Sequence, residues 1–481
     1  MQLKTLVKDI LEAQVIGNDC VEIEHIVSDS RVVTAKSLYV CLSGAENDGH
    51  NFIRQVEKYG AAAIICERKL DTSLVQVIVK DTRKAMCLIA REFYGNACNK
   101  MKIIGVLGTN GKTTTSHLIY SLLNKAGKKC GLIGTLGAFY GQNHKETALT
   151  TPDPISLHKI FNDMYNDGCE IVVMEVSAHA NYFNKVYGIE FFAGVFTNFS
   201  RDHLDFFKDE VNYKNAKLKF FKENKSKYII TNTDDKLGME IASNFSNSIS
   251  YGIENPSDVF AIEMEEKPSG TEFVINLFDC VYDVKTKLVG KFNVYNLLAA
   301  ATTVALVGVK PKKVVENVSK LQSVSGRIEL IYEGDFCVFL DYAHTPDGLE
   351  KVLTALRPRC KGNLICVFGC GGNRDSGKRY EMGKISAKNA DFTIITTDNP
   401  RYEEPMDIIM QIERGVLSHG KNYVIVQDRT QAIEYALNIA KKDDVILVAG
   451  KGSESYQEIL GIKLPYNDKD TIRELLWSKR G

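Results

Sequence analysis

At 481 residues the chain is too long for a single hydrophobic core, and about three domains is the natural expectation. Its 60 basic and 60 acidic side chains cancel, and no basic run carries interleaved aromatics, so neither a nucleic acid nor a membrane surface is expected as partner. Twelve cysteines (Cys20, Cys41, Cys66, Cys366 and Cys370 among them) lack Cys-x-x-Cys spacing and often fall in apolar strands, which fits buried free thiols better than a zinc site or disulfides. The start MQLKTLVKDI has no apolar signal core and no apolar stretch reaches membrane-spanning length, so a cytoplasmic protein with no membrane insertion is expected.

In chain order, residues 1–99 form a first unit. SLYVCLSG and AAAIICE read as short strands and NFIRQVEKYG as a helix, giving a small α/β domain, and REFYGNACNK is a connector. Residues 100–325 form the second unit. Apolar strands recur in KKCGLIGTLG, CEIVVMEVS, FFAGVFTNFS and KYIITNTD with helices between several of them, the pattern of a parallel sheet with crossover helices. Near 257–290 the pattern shifts to short alternating segments around a Pro-Ser-Gly turn, an expected antiparallel excursion, before the helix FNVYNLLAAATTVALVGV. Residues 326–481 form a third, Rossmann-like α/β unit with strands FCVFLDYA, LICVFGCGG, DFTIITTDNPR, YVIVQD and DVILVAGKG. Polar residues cluster at the C-terminal ends of those strands, where open α/β sheets bind ligands.

The most informative stretch is KIIGVLGTNGKTT, residues 102–114: an apolar strand ending in a glycine-lysine-threonine loop that opens a helix. Gly108 and Gly111 let backbone N–H groups turn inward, Lys112 can reach the β- and γ-phosphates of a nucleotide, and Thr113 can sit on Mg²⁺. The longer G-x-x-x-x-G-K-[ST] spacing would need glycine where Val106 stands, so this is the shorter G-T-x-G-K-T form. Glu175 ends the strand IVVMEVS and His203 lies in the loop NFSRDHLD, both within the phosphate-loop unit, and both are candidate metal ligands. Lys217 in NYKNAKLKFF reads, on its residues alone, as a lysine on a solvated helix face, and Thr150-Thr151-Pro152-Asp153-Pro154 as a proline-stiffened turn. Arg374, Arg401 and Glu454 follow strand ends beside glycines; together they suit a small substrate bearing a carboxylate and an amine.

Taken together these motifs resemble the Mur ligases, ATP-dependent amide-forming enzymes of bacterial peptidoglycan precursor synthesis. The resemblance covers nearly the whole chain in order: SDSR (28–31), GTNGKTTT (108–115), TTPDP (150–154), MEVSAHA (174–180), FTNFSRDHLD (196–205), NAKLKFF (215–221), FNVYNLLAA (292–300), GRIE (326–329), DYAHTPD (341–347), FGCGGNRDSGKR (368–379), DNPR (398–401) and AGKGSE (449–454). It is fullest with the branch of the family that adds meso-diaminopimelate. The lysine-adding branch, a folylpolyglutamate-synthetase-like ligase and a protein that uses ATP only as a switch are the alternatives.

The resemblance implies a UDP-substrate domain (1–99), a central ATP-binding domain (100–325) and a C-terminal amino-acid-binding domain (326–481), acting as a monomer. It implies ATP contacts from Gly108, Thr109, Asn110, Gly111, Lys112, Thr113 and Thr114, with Asn296, Arg327 and Asp341 as further contacts. Ser30, Thr150, Thr151, Ser177 and Lys185 match positions that hold the UDP-muramoyl-peptide, and Arg374, Asp398, Asn399, Pro400, Arg401, Gly450 and Glu454 match the diaminopimelate site. Thr113, Glu175 and His203 would hold Mg²⁺, Lys112, Lys217 and His203 would be catalytic, and Lys217 would carry CO₂ as a carbamate (N6-carboxylysine). Three positions depart from the family pattern: Lys185 replaces an arginine, Ala178 stands in a usual Ser-Ser-His, and Ser453 replaces a histidine before Glu454.

Overall fold

The computed structural model describes residues 1–44, 47–267, 270–420 and 422–478, and the chain folds as two compact units. The first comprises Met1–Leu107, Gly127–Val195 and Asn215–Ile229; the second comprises Gly108–Ala126, Phe196–Lys214 and Ile230–Gly481.

In the first unit a five-stranded sheet runs in the order Gln14–Ile16, Val75–Ile78, Ala63–Cys66, Ser37–Val40, His25–Val27. Only the first of these strands is antiparallel to its neighbour. Strands Ser37–Val40 and Ala63–Cys66 are buried along their whole length. Alternate residues feed two cores: Leu38, Val40, Ala63 and Ile65 pack with Leu3, Leu6 and Ile89, while Tyr39, Cys41, Ile64 and Cys66 pack with Ile53 and Val56. That arrangement explains the continuous apolar runs, because a parallel sheet is covered on both faces. Helix Thr82–Phe93 starts where the Asp81 carboxylate accepts the Lys84 N–H.

The same unit holds strand Ile171–Glu175 between Lys102–Leu107 and Cys130–Gly134, parallel to both, with Glu175 opposite Val106. The hairpin Gly137–Tyr140 and Asn143–Lys145 extends antiparallel from Cys130–Gly134. Gly105 is the strand's small residue for a packing reason, since a Cβ there would lie 2.9 Å from the Phe191 ring, which itself stacks edge-on with Phe220.

In the second unit the phosphate-loop helix Lys112–Lys125 packs on helix Lys291–Val307. Strands Val259–Lys267, Gly270–Leu277 and Cys280–Thr286 form the expected antiparallel excursion. Pro268 and Ser269 of the expected Pro-Ser-Gly turn lie outside the described residues. A six-stranded sheet follows in the order Glu329–Glu333, Cys337–Asp341, Val445–Ala449, Leu364–Phe368, Phe392–Ile395, Tyr423–Ile425, antiparallel only at its first pair.

Helices cover both faces of this sheet. Leu349, Leu353, Met382, Ile409 and Ile412 pack on Phe339, Cys366 and Phe368; Ala432, Ile433, Ala436 and Ile472 pack on Val338, Val367 and Ile446. The strand Val445–Ala449 separates Cys337–Asp341 from Leu364–Phe368, although those two are consecutive parallel strands in the chain. Their C-terminal ends therefore diverge around the end of Val445–Ala449, and the loops after Asp341, Phe368, Ile395 and Ala449 meet at a topological switch point.

The α/β class expected from the sequence is borne out. All cysteines are free thiols, and Cys41, Cys66, Cys366 and Cys370 are buried. Cys20 is exposed instead, because it lies in the polar turn after Gly17-Asn18-Asp19 rather than in a strand. Among the described residues no helix is long and apolar enough to cross a membrane.

Candidate active site

The phosphate loop is built by its glycines and by the loop that follows strand Phe191–Phe196. Gly108 and Gly111 have φ of +145° and +82°, and Gly111 stands as the left-handed N-cap of helix Lys112–Lys125. A Cβ at Gly108 would collide with the Thr197 hydroxyl, and one at Gly111 would lie 2.5 Å from Asn296 Oδ1. The Thr109 N–H donates to Asn198 O (2.8 Å), and its hydroxyl lies 3.1 Å from Ser200 O and 3.2 Å from the Tyr213 hydroxyl. The Asn110 side chain donates to Asp347 Oδ2 (2.8 Å), while its carbonyl accepts from Thr197 Oγ1 (2.6 Å) and Asn198 Nδ2 (3.0 Å). Lys112 Nζ curls back to donate to Gly108 O (3.0 Å) and Thr109 O (2.9 Å). The helix N-terminus and a lysine are thus directed at one small cradle, an anion site by construction.

Asn296 joins this cradle: its Oδ1 accepts from Thr115 Oγ1 (3.1 Å). Arg327 reaches it too, donating from Nη2 to Thr113 Oγ1 (3.2 Å) with its guanidinium 4.4 Å from the Tyr342 ring centroid. Asp341 is buried and accepts the N–H groups of Ile328 and Ala343, each at 2.7 Å. Burial raises its carboxyl above the usual range, against the pull of Arg327.

His203 has a left-handed φ of +55°, and its N–H donates to Asp202 Oδ1 (2.8 Å). Burial alone would raise the Asp202 carboxyl, but the neighbouring His203, His344 and Lys378 outweigh it and hold the group at about 2. Burial, aided by the Lys378 charge, pushes the His344 imidazole down to about 4. The result is an ionised carboxylate flanked by a neutral imidazole.

In the first unit Glu175 ends its strand fully buried. Its Oε1 accepts the Thr135 N–H (2.9 Å) and its Oε2 the Thr135 hydroxyl (3.2 Å), which is also 3.0 Å from the Thr150 hydroxyl. The Thr151 hydroxyl donates to Glu175 O (2.9 Å) and accepts the Ser177 N–H (3.0 Å); Ser177 Oγ in turn accepts the Ala180 N–H (3.1 Å). Lys185 Nζ reaches Thr151 O (3.3 Å), and burial lowers its ammonium below the usual range despite Asp153. Thr150, Thr151, Glu175, Ser177 and Lys185 thus form one hydrogen-bonded group, although they come from separate motifs. Lys217 is 2% exposed on helix Glu210–Glu223 and is no solvated surface lysine. Ser30 is buried in a short 3₁₀ turn that the Asp29 carboxylate caps.

At the C-terminal ends of the six-stranded sheet, Asn399 Nδ2 donates to Glu454 Oε2 (3.0 Å), and Asp398 Oδ1 accepts the Asn399 N–H (2.6 Å). Gly450, at φ +111°, leaves room for Asp398, whose Oδ2 would be 2.6 Å from an added Cβ. Arg401, the residue after Pro400, sits at φ +52° and donates from Nε to Glu458 Oε2 (3.0 Å) and from Nη1 to Gly372 O (2.8 Å). Arg374 is half exposed, 3.8 Å from Asp205 Oδ2. Thr135, Asn198, Tyr213, Asp347, Tyr342 and Lys451 escaped sequence reading. Tyr342 and Asp347 lie inside DYAHTPD, Lys451 inside AGKGSE and Asn198 inside FTNFSRDHLD, whereas Thr135 and Tyr213 carry no local signal. Among the described residues no group of three or more His, Cys, Asp or Glu side chains forms a metal cage.

Residues 22–94, 106–304 and 326–452 match, respectively, the models described as Mur ligase family, catalytic domain; Mur ligase middle domain; and Mur ligase, glutamate ligase domain. The chain is 44% identical over 484 residues to UDP-N-acetylmuramoyl-L-alanyl-D-glutamate--2,6-diaminopimelate ligase 1 of Clostridium acetobutylicum, with 99% of each chain covered. The chain belongs to the Mur ligase family. The corresponding ligase of Clostridium botulinum is 39% identical over 487 residues, again covering 99% of each. The solved structure of a UDP-N-acetylmuramoyl-L-alanyl-D-glutamate--2,6-diaminopimelate ligase superposes with a TM-score of 0.71 at 29% identity, covering 100% of this chain and 99% of that one.

The three departures from the Mur ligase motifs sit in ordered surroundings. Lys185 keeps a cation against Thr151, Ala178 opens the short helix that Ser177 caps, and Ser453 follows Gly452 (φ +51°) immediately before Glu454.

Proposed function

We propose that this Mur ligase uses ATP to join meso-2,6-diaminopimelate to UDP-N-acetylmuramoyl-L-alanyl-D-glutamate in peptidoglycan precursor synthesis. The observation that carries the reading is the convergence of Asp398, Asn399, Arg401 and Glu454 at the switch point of the C-terminal sheet. It offers anions for an amine and a guanidinium for a carboxylate. The full-length relatives bearing that name support it.

In the proposed reaction an oxygen of the D-glutamyl carboxylate attacks the γ-phosphorus of ATP, and the bond to the β–γ bridging oxygen breaks to give an acyl phosphate and ADP. The diaminopimelate amine, as free base, then adds to the acyl carbon; the tetrahedral species expels phosphate, and the amine's remaining extra proton is lost to leave the amide. The chain's contribution is positioning and charge stabilisation. Lys112 exchanges its contacts with Gly108 O and Thr109 O for phosphate oxygens, and the loop N–H groups orient them. Asn296 and Asp341 shape the nucleotide side, and Arg327 adds a cation beside Thr113. Thr150, Thr151, Ser177 and Lys185 are proposed to hold the muramoyl-peptide, and Ser30 its UDP end.

We propose Thr113, Glu175 and His203 as Mg²⁺ ligands on their donor chemistry alone, a hydroxyl, a carboxylate and an imidazole, with phosphate oxygens and water completing the ion's shell. The ion would supply charge neutralisation at the phosphates. Lys217, buried on its helix, is proposed to lose a proton from its ammonium, add the freed Nζ lone pair to CO₂ and release a second proton, which turns a cation into an anionic carbamate. We infer three functional domains, 1–99 for UDP, 100–325 for ATP and 326–481 for the amino acid, working as a cytoplasmic monomer.

The deciding experiment is phosphate release measured with ATP and each second substrate alone, then with both. A ligase releases amide-coupled phosphate only when the UDP-dipeptide and diaminopimelate are both present. Release that ignores the amino acid would contradict the proposal and point to an ATP switch.

A further inference from the structure

Lys451 is a fully enclosed charged side chain at the end of the C-terminal sheet, with 0% exposure. Gly450 and Gly452, at φ +111° and +51°, flank it and turn the backbone so that its side chain runs inward. Its ammonium has three donors and three acceptors to match: Asn399 Oδ1 at 2.8 Å, Tyr456 O at 2.9 Å and Glu454 Oε2 at 3.1 Å. Asp398 Oδ1 lies a further 3.9 Å away. A buried ammonium is retained only when paired in this way.

Those contacts have consequences for its neighbours. Among the described residues Glu454 Oε2 accepts from both Lys451 and Asn399, whereas Oε1 has only the Tyr342 hydroxyl at 3.4 Å. Oε1 therefore keeps acceptor capacity for an incoming donor. The Asn399 amide is also locked: its Oδ1 accepts from Lys451 Nζ and from the Glu458 N–H (3.0 Å), so a flip would set its NH₂ against two donors. The charge count follows. Asp398 and Glu454 against Lys451 leave one net negative charge, which matches one substrate ammonium, while Arg401 and Glu458 offset each other.

We propose that Lys451 is a positioning and specificity residue of the amino-acid pocket, holding Glu454 and Asn399 so that Glu454 Oε1 receives the distal ammonium of the incoming diamino acid. The inference rests on the reading of Asp398–Arg401 and Glu454 as the amino-acid site. Lys451 itself does not touch substrate. It acts through Glu454.

The test is steady-state kinetics of the full-length enzyme with each substrate varied in turn, for wild type, Lys451→Met, Glu454→Gln and the double variant. Lys451→Met is expected to raise KM for meso-diaminopimelate by about 30-fold, equivalent to about 2 kcal/mol. KM for ATP and for the UDP-dipeptide should stay unchanged. Because Lys451 works through Glu454, the double variant should be little worse than Glu454→Gln alone. Additive losses, or a loss spread over all three substrates, would mean a purely structural role and overturn the inference. Should Lys451→Met fail to fold, Lys451→Arg carries the same measurement. It keeps the charge but crowds Glu454, and a change not confined to the diaminopimelate KM again overturns it. If Glu454→Gln also leaves that KM unchanged, the amino-acid site reading fails; if only Lys451→Met leaves it unchanged, this inference alone fails.

Discussion

Removing the Arg401 guanidinium separates substrate recognition from stability. Arg401 occupies a left-handed backbone conformation, φ +52°, which costs a residue with a Cβ about 1–2 kcal/mol. Its side chain is 18% exposed and donates through Nε to Glu458 and through Nη1 to Gly372 O. Arg401→Gly loses those contacts but relieves the backbone, so its thermal midpoint should stay within about 2–4 °C of wild type. Arg401→Ala keeps the strain and should melt lower than Arg401→Gly. Both lose the fork for the distal carboxylate of diaminopimelate. A hydrogen bond to a charged group contributes about 1.5–3 kcal/mol, so losing one or two should lower kcat/KM for diaminopimelate by between about 10-fold and about 10,000-fold. The assay is coupled ADP release at varied diaminopimelate and varied L-lysine, with melting curves on the same preparations. Wild-type kcat/KM in either variant, or wild-type preference for lysine, would refute the reasoning.

Glu175→Gln retains volume but presents an amide to the Thr135 N–H and hydroxyl that now donate to a carboxylate, so turnover should fall at least about 100-fold while the circular dichroism spectrum is kept; unchanged turnover would remove Glu175 from the chemistry. Lys217→Ala should be nearly inactive and partly restored by short carboxylates such as acetate, and full activity without them would exclude a carbamate. His158 is buried with no hydrogen-bond partner at Nε2 among the described residues, and burial pushes its imidazole down to about 3. Its folded pKa lies below the unfolded value of about 6.5, so the unfolded chain binds more protons between those limits and stability falls as pH drops through that window. His158→Leu should remove that part of the acid sensitivity, as read from urea midpoints between pH 7 and pH 4; an unchanged slope would mean that His158 does not titrate as its burial requires.

Much of the fold was written in periodicity. Runs such as SLYV and AIIC are apolar at every position because both faces of their sheet are covered, and the strand-end positions of Glu175, Asp341 and Gly450 follow from where those runs stop. Glycine spacing gave the phosphate loop, because only glycine tolerates φ of +145° at Gly108 beside the Thr197 hydroxyl. What stayed hidden is pairing across long sequence separations. The sequence offers no sign that Thr135 will meet Glu175 or that Asn110 will donate to Asp347, since neither pair shares a strand or a helix turn. Lys217 shows the opposite failure. A lysine in a charged helix reads as solvated, and only tertiary packing around that helix buries it.

The most direct test of the account is the mass of the product formed from ATP, UDP-N-acetylmuramoyl-L-alanyl-D-glutamate and an equimolar mixture of meso-diaminopimelate and L-lysine. The account predicts a single new UDP-linked species whose mass increases by diaminopimelate less one water, with one ADP formed per product. A lysine adduct as the main species, or ADP formed without any adduct, would contradict it.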